Sequence, residues 1–145
     1  MRILLFARRN TKEILRDPIN LLFALGFPLI LLFLFSVINS AIPAEAKNDM
    51  FIITKTAPGM ATFGTVFFAL FSGVLLAKDR TSSFLMRLFA APMTSMDYII
   101  GYTLPILAMA AIQSIITFSA AVLLGLPLSV YMPGAVLIML PIAVL

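Results

Sequence analysis

The sequence predicts an all-α, polytopic membrane bundle: an amphipathic interfacial helix over residues 1–17, then a transmembrane domain over 18–145 with three full spans and a partial fourth. Three observations carry the prediction. Hydrophobic residues make up 62% of the 145-residue chain and charged ones 11%, against roughly 45–50% and 25% in soluble domains, and mean hydropathy is +1.12. The uncharged runs Pro18–Ala44, Thr56–Ala77 and Tyr98–Leu145 hold 27, 22 and 48 residues, where about 20 suffice to cross a hydrocarbon core ~30 Å thick. The charges are gathered into short segments between those runs.

The amino-terminal segment reads as a two-faced helix. Ile3, Leu4, Ala7, Thr11, Ile14 and Leu15 share one side, and Arg2, Arg9, Lys12, Glu13 and Arg16 the other, with Leu5, Phe6 and Arg8 spoiling the partition. Such a helix lies in the headgroup layer with its stems in membrane lipid and its charges snorkelled towards anionic headgroups; it serves as a positive-inside anchor or as a joining helix that also meets a cytosolic partner. Ala44-Glu45-Ala46 looks like a signal-peptide cleavage site, but the run before it is far longer than the 7–15 residues of a signal-peptide core.

The first span is expected over about 19–42, started by Pro18 and interrupted by Pro28, which removes one backbone hydrogen bond. Residues 45–55 balance two acids against two lysines and read as an external loop. The second span is expected over 57–77, where Ala57, Ala61, Thr65, Ala69, Gly73 and Ala77 recur at every fourth position. Stripes of small side chains let helices approach closely in lipid, so this face is expected against another helix, in the same subunit or across a subunit interface.

Residues 78–98 form a polar island. Thr81, Ser82 or Ser83 caps a short helix that Pro92 ends, with Phe84, Leu85, Leu88 and Phe89 on one face and Ser83 and Arg87 opposite. Thr94-Ser95-Met96-Asp97 fits a capping box, so a new helix is expected there. Basic residues near the span ends number five at the amino terminus, two in the first loop and three in the island, which places the amino terminus and the island in the cytoplasm of a multi-pass cell-membrane (plasma or inner membrane) protein.

The turn signals Leu126-Pro127 and Pro133-Gly134 divide the last run into a third span, about 99–125, and a partial fourth, 134–145. Gln113, Thr117, Ala121 and Gly125 make a second every-fourth stripe, with Gln113 expected to act as interhelical glue or as a substrate contact. The fourth run stops at Leu145, too short to cross, which leads us to expect a truncated gene, a fragment or half of a split subunit.

Composition narrows the chemistry. Cysteine and histidine are absent, which removes disulfides, thiol nucleophiles, Ser-His-Asp triads and the usual zinc ligand sets. No metal or cofactor is expected, and the chain is expected not to be an enzyme. The net charge of +4 and pI near 9.9 come from scattered basic residues that form no continuous stripe for nucleic acid. The spans hold no titratable group of the kind that proton-coupled carriers and charge-selective pores place there. No phosphate-cradling Gly-x-x-x-x-Gly-Lys loop occurs, so energy for transport must come from a partner.

Arg9-Asn-x-Lys-Glu-x-x-Arg-Asp-Pro18, two spans around a weakly charged loop, Asp79-Arg80, Arg87-Leu88-x-Ala-Ala91-Pro92, Ser95 and Gly101 together resemble the type-2 family of ABC transporter permeases over about residues 1–125. The resemblance implies a transmembrane subunit of an ATP-driven exporter for drugs, lipids or polysaccharides. It implies a second permease subunit, as homo- or heterodimer, and a separate ABC ATPase subunit seated on a coupling helix between spans two and three. The implied coupling residues are Asp79, Arg80, Arg87, Ala91 and Pro92, with Phe84, Leu88 and Phe89 expected in the partner cleft or against the spans; the implied joining helix is Arg2 to Arg16. The chain has Asp79 where the family usually has Glu, Tyr102 where it often has Lys, and lacks the last two spans. The competing reading is a non-transport assembly or sensor subunit, or an inactive permease fragment.

Overall fold

The computed structural model of the protein describes residues 2–43, 49–81, 94–129 and 131–144. Those residues are all-helical. Helix α1 is Arg2–Arg16, α2 is Pro18–Ala41, α3 is Ile53–Thr81, α4 is Ser95–Leu123 and α5 is Met132–Ile142, with a short 3-10 turn at Asp49–Phe51. Helices α2, α3 and α4 are long and apolar enough to cross a membrane. At 29 residues each, α3 and α4 extend roughly 43 Å and overrun a ~30 Å hydrocarbon core.

Each start and stop has a local cause. Asp17 caps α2, its Oδ1 accepting from the Ile19 and Asn20 amides at 3.1 and 3.2 Å, and Pro18 sits in the first turn where no intrahelical donor is needed. The expected capping box is present at α4: the Asp97 amide donates to Thr94 Oγ1 at 3.2 Å, and the Thr94 amide to Asp97 Oδ2 at 3.0 Å. Gly125 departs from the stripe in which the sequence placed it. It has φ +102° and closes α4 in a Schellman turn, with the Leu126 amide donating to the Ala121 carbonyl at 2.9 Å and the Gly125 amide to the Val122 carbonyl at 3.1 Å.

Pro28 does not break α2. It has no N–H to offer the Ala24 carbonyl, and the turn just before it, Leu22–Gly26, widens into a π-helix. A four-residue step drifts on a 3.6-residue helix, and the wider turn holds that drift back. Asn20, Ala24, Pro28 and Leu32 therefore line one buried edge of α2.

Helix α4 is central, packing against α3, α1 and α5, while α3 also meets α2 and α5. One core cluster gathers Leu32, Ala57, Ala61, Phe118, Ala121 and Met139; another gathers Ile14, Ala24, Phe68 and Met109. Along the α2–α3 seam Phe23 stacks on Phe67 with ring centroids 5.7 Å apart, and Phe63 lies 4.7 Å from Phe67.

The small-residue stripe of α3 divides. Ala57, Ala61 and Thr65 are buried, Ala69 is half-buried, and Gly73 and Ala77 are exposed. Four residues turn a helix by about 400°, so five such steps rotate the stripe by about 200°, almost to the opposite side. The buried line of α3 passes instead through Gly64, Phe68, Ser72 and Asp79.

Candidate coupling junction

The polar island is rooted in the last turn of α3 and the first turns of α4; α1 packs on α4 and reaches the end of α3 through Arg9. Part of the apolar face of α1 packs into the bundle and part stays outside it. The bundle takes Phe6, Ala7, Asn10 and Ile14, and leaves Leu4 and Leu15 outside. Two features turn the helix this way. Asn10 Nδ2 donates to the Gly101 carbonyl at 3.0 Å, and Phe6 lies flat where Gly101 has no side chain; a Cβ there would come within 2.9 Å of Phe6 Cε1. Phe6, Tyr98 and Tyr102 form an aromatic cluster, Phe6 to Tyr102 edge-on at 5.1 Å and Tyr98 to Tyr102 at 4.9 Å.

Beside this cluster lies a buried carboxylate. Asp79 is 3% exposed, and the Arg9 guanidinium donates to both of its oxygens, at 2.9 and 3.1 Å. The Tyr102 hydroxyl donates to Asp79 Oδ2 at 2.6 Å. Arg9 also pairs with Glu13 at 2.7 Å and donates to Asn10 Oδ1 at 3.0 Å. The hydrogen bond to Asp79 leads the causes that hold the Arg9 guanidinium above its ordinary pKa. A buried carboxylate is tolerable only when paired and hydrogen-bonded, and here both conditions are met by residues from two other helices.

Geometry follows from these contacts. Asp79 stands two residues before the end of α3, and Tyr102 eight residues after the Thr94 cap of α4. Arg9 comes from a third helix. One carboxylate therefore fastens both roots of the segment 82–93 to α1.

The other site residues expected from the sequence are distributed as follows. Arg80, Lys12 and Arg16 are exposed, and Arg9 is half-buried on Asp79. Phe84, Arg87, Leu88, Phe89, Ala91 and Pro92 lie outside the described residues, as does the side chain of Arg2. Ala61, Thr65, Gln113 and Thr117 come together in mid-bundle. Gln113 is fully buried, accepting from Ser114 Oγ at 3.4 Å and donating to Thr117 Oγ1 at 3.1 Å, while the Thr65 hydroxyl lies 3.2 Å from Gln113 Oε1 and 2.9 Å from the Ala61 carbonyl. Ala69 and Gly73 lie off that face, and a Cβ on Gly73 would meet nothing within 4 Å.

Sequence reasoning missed Asn10, Tyr102 and Gly64. A Cβ on Gly64 would collide with Gln113 and lie 2.6 Å from the Ala24 carbonyl oxygen, so α2, α3 and α4 touch there because that side chain is absent. Tyr98, Gly101 and Tyr102, at helical spacings of three and four, were the one local signal for a packed aromatic face.

Compared with known families, the chain matches the family model described as ABC-2 type transporter over residues 1–145. No curated protein matches the chain, and no solved structure does.

Proposed function

The chain belongs to the ABC-2 type transporter family, and from that membership we propose that it is the permease subunit of an ATP-driven exporter, worked by a separate ATPase through the segment between α3 and α4. Membership makes it a multi-pass transmembrane component of an ABC transporter, with the transport step outside its own catalytic capacity. In the proposed arrangement the island and α1 face the cytoplasm of the cell that carries the protein in its plasma or inner membrane. Two permease subunits form the path between them.

The observation that carries the coupling proposal is the attachment of Asp79 to Arg9 and Tyr102. A partner that moves the segment 82–93 transmits work only if the roots of that segment move together. A bidentate ion pair and a short hydroxyl bond make the middle of α1 and the facing ends of α3 and α4 one body, so a displacement of the segment biases the packing of the spans instead of bending a loop. Asp79 is thus a positioning residue. Arg80 and Arg87 orient the segment in the partner's cleft, with Phe84, Leu88 and Phe89 seated in it, next to Ala91 and the Pro92 stop.

Copurification tests this. The double substitution Arg87→Glu with Leu88→Asp is expected to abolish retention of the cognate ATPase while the permease still accumulates in the membrane. Undiminished retention, with undiminished stimulation of ATP hydrolysis, would discard the coupling role. Orientation has its own test, because the chain contains no cysteine. An Arg80→Cys variant is expected to react with an impermeant thiol reagent only after the cells are permeabilised.

A further inference from the structure

Where α1 turns into α2, Asp17 and Pro18 form an elbow that leaves a cavity of about 330 Å³ against the end of α3. Its character changes from one side to the other. Arg16 and Lys78 are exposed at its mouth, whereas Ile14 is buried and Phe71 and Leu75 half-buried in its wall. The acids nearby are already engaged: Glu13 pairs with Arg9 at 2.7 Å, and Asp17 Oδ1 accepts from the Ile19 and Asn20 amides at 3.1 and 3.2 Å. Among the described residues, the side chains of Arg16 and Lys78 have no ion-pair or hydrogen-bond partner. The wall also holds Asn20, 3% exposed, whose Oδ1 has no hydrogen-bond partner there.

Depth selects the ligand. Lys78 is the first charge after the uncharged run of α3, and Pro18 begins that of α2, so the cavity sits where hydrocarbon gives way to headgroups. A soluble anion would satisfy the two cations and leave the apolar wall wet. We propose that the elbow is a binding site for one glycerophospholipid, its phosphodiester held between Arg16 and Lys78 and one acyl chain laid along Phe71, Val74 and Leu75. This site rests on the membrane reading alone and is independent of coupling to an ATPase.

The test is native mass spectrometry of the purified chain, taken from bilayers of phosphatidylglycerol, phosphatidylethanolamine and diacylglycerol in known proportion. One phospholipid per chain is expected to survive detergent exchange. Arg16→Gln with Lys78→Gln is expected to lower that retention at least fivefold. Arg8→Gln with Lys12→Gln, which removes the same charge from the exposed face of α1 outside the cavity, is expected to leave it unchanged. Preference for phosphatidylglycerol, or equal retention of both phospholipids with exclusion of diacylglycerol, supports phosphodiester recognition. Equal losses in the two double variants, undiminished retention in the first, or retention of diacylglycerol alongside the phospholipids would reduce the lipid to an annular one and overturn the site. Gel filtration and retention of the ATPase by the Arg16/Lys78 variant separate loss of the lipid from loss of fold or of coupling.

Discussion

Two buried polar clusters among the described residues are built on opposite plans. At the end of the bundle, Asp79 takes its partners from residues 70 positions before it and 23 after it, and Asn10 reaches a carbonyl 91 residues away. In mid-bundle, Gln113 finds Ser114 and Thr117 one and four residues along its own helix, and only Thr65 comes from across the interface. The first cluster ties helices together through polarity. The second mostly satisfies itself, and the helices meet there because Gly64 leaves room. Paired partners are what the end junction needs, and space is what the middle cannot give up.

The sharpest way to break that contrast is to fill the space. Gly64→Val is expected to have the largest effect of any substitution considered, because its Cβ meets a backbone oxygen of α2 as well as the Gln113 side chain, and backbone cannot swing aside. Overpacking of this kind costs about 1–3 kcal/mol where side chains can yield, and more where they cannot. The variant should fail to accumulate as a folded species, read by gel filtration after detergent extraction. A stably folded Gly64→Val protein would mean that the three helices do not meet at that level.

At the other cluster, Arg9→Ala is expected to cost about 3 kcal/mol, because it removes the bidentate donor from a buried carboxylate; breaking a buried pair by removing one partner costs about 3–5 kcal/mol, and the partial exposure of Arg9 places it at the low end. Unfolding by SDS in mixed micelles measures the loss. The double change Arg9→Met with Asp79→Leu should recover part of that stability, since apolar residues of similar volume replace a buried pair at little cost while the Tyr102 hydroxyl loses its acceptor. If the junction serves coupling as proposed, the double variant should still uncouple ATP hydrolysis from transport.

How these regions read in the sequence follows from the reach of their contacts. The spans were legible because uncharged length is a one-dimensional property, and the Thr94–Asp97 box because both of its bonds lie within four residues. The junction was not legible, since Arg9, Asp79 and Tyr102 each look, taken singly, like a polar group at the end of an apolar run. That α1 also buries Phe6 and Asn10 in the bundle was not legible, because its apolar pattern does not reveal that Asn10 has a carbonyl to reach. The stripe on α3 divides for a geometric reason: a four-residue repeat does not stay on one side of a 3.6-residue helix, and its last members face away from its first.

A smaller effect is expected from Gln113→Leu. Interhelical hydrogen bonds in lipid contribute on average about 0.6 kcal/mol, and Thr65 retains the Ala61 carbonyl at 2.9 Å when the amide is gone. Stability should fall by less than about 1 kcal/mol in the SDS titration. A loss comparable with that of Arg9→Ala would show that mid-bundle polarity, and not the missing Cβ of Gly64, holds α3 to α4.

The smallest effect should come from Gly73→Ala, and its sign is informative. Gly73 shares the four-residue repeat with Ala61 and Thr65, so a packed stripe running the length of α3 would make any added atom unfavourable. The structure instead leaves 4 Å around that position clear. With no neighbour to displace, the remaining term is the backbone entropy of glycine within a helix, worth about 1 kcal/mol relative to alanine. The variant chain should therefore be as stable as the parent or slightly more so in the SDS titration. Destabilisation of the isolated chain would place another of its own helices against Gly73 and restore the full stripe as a packing face.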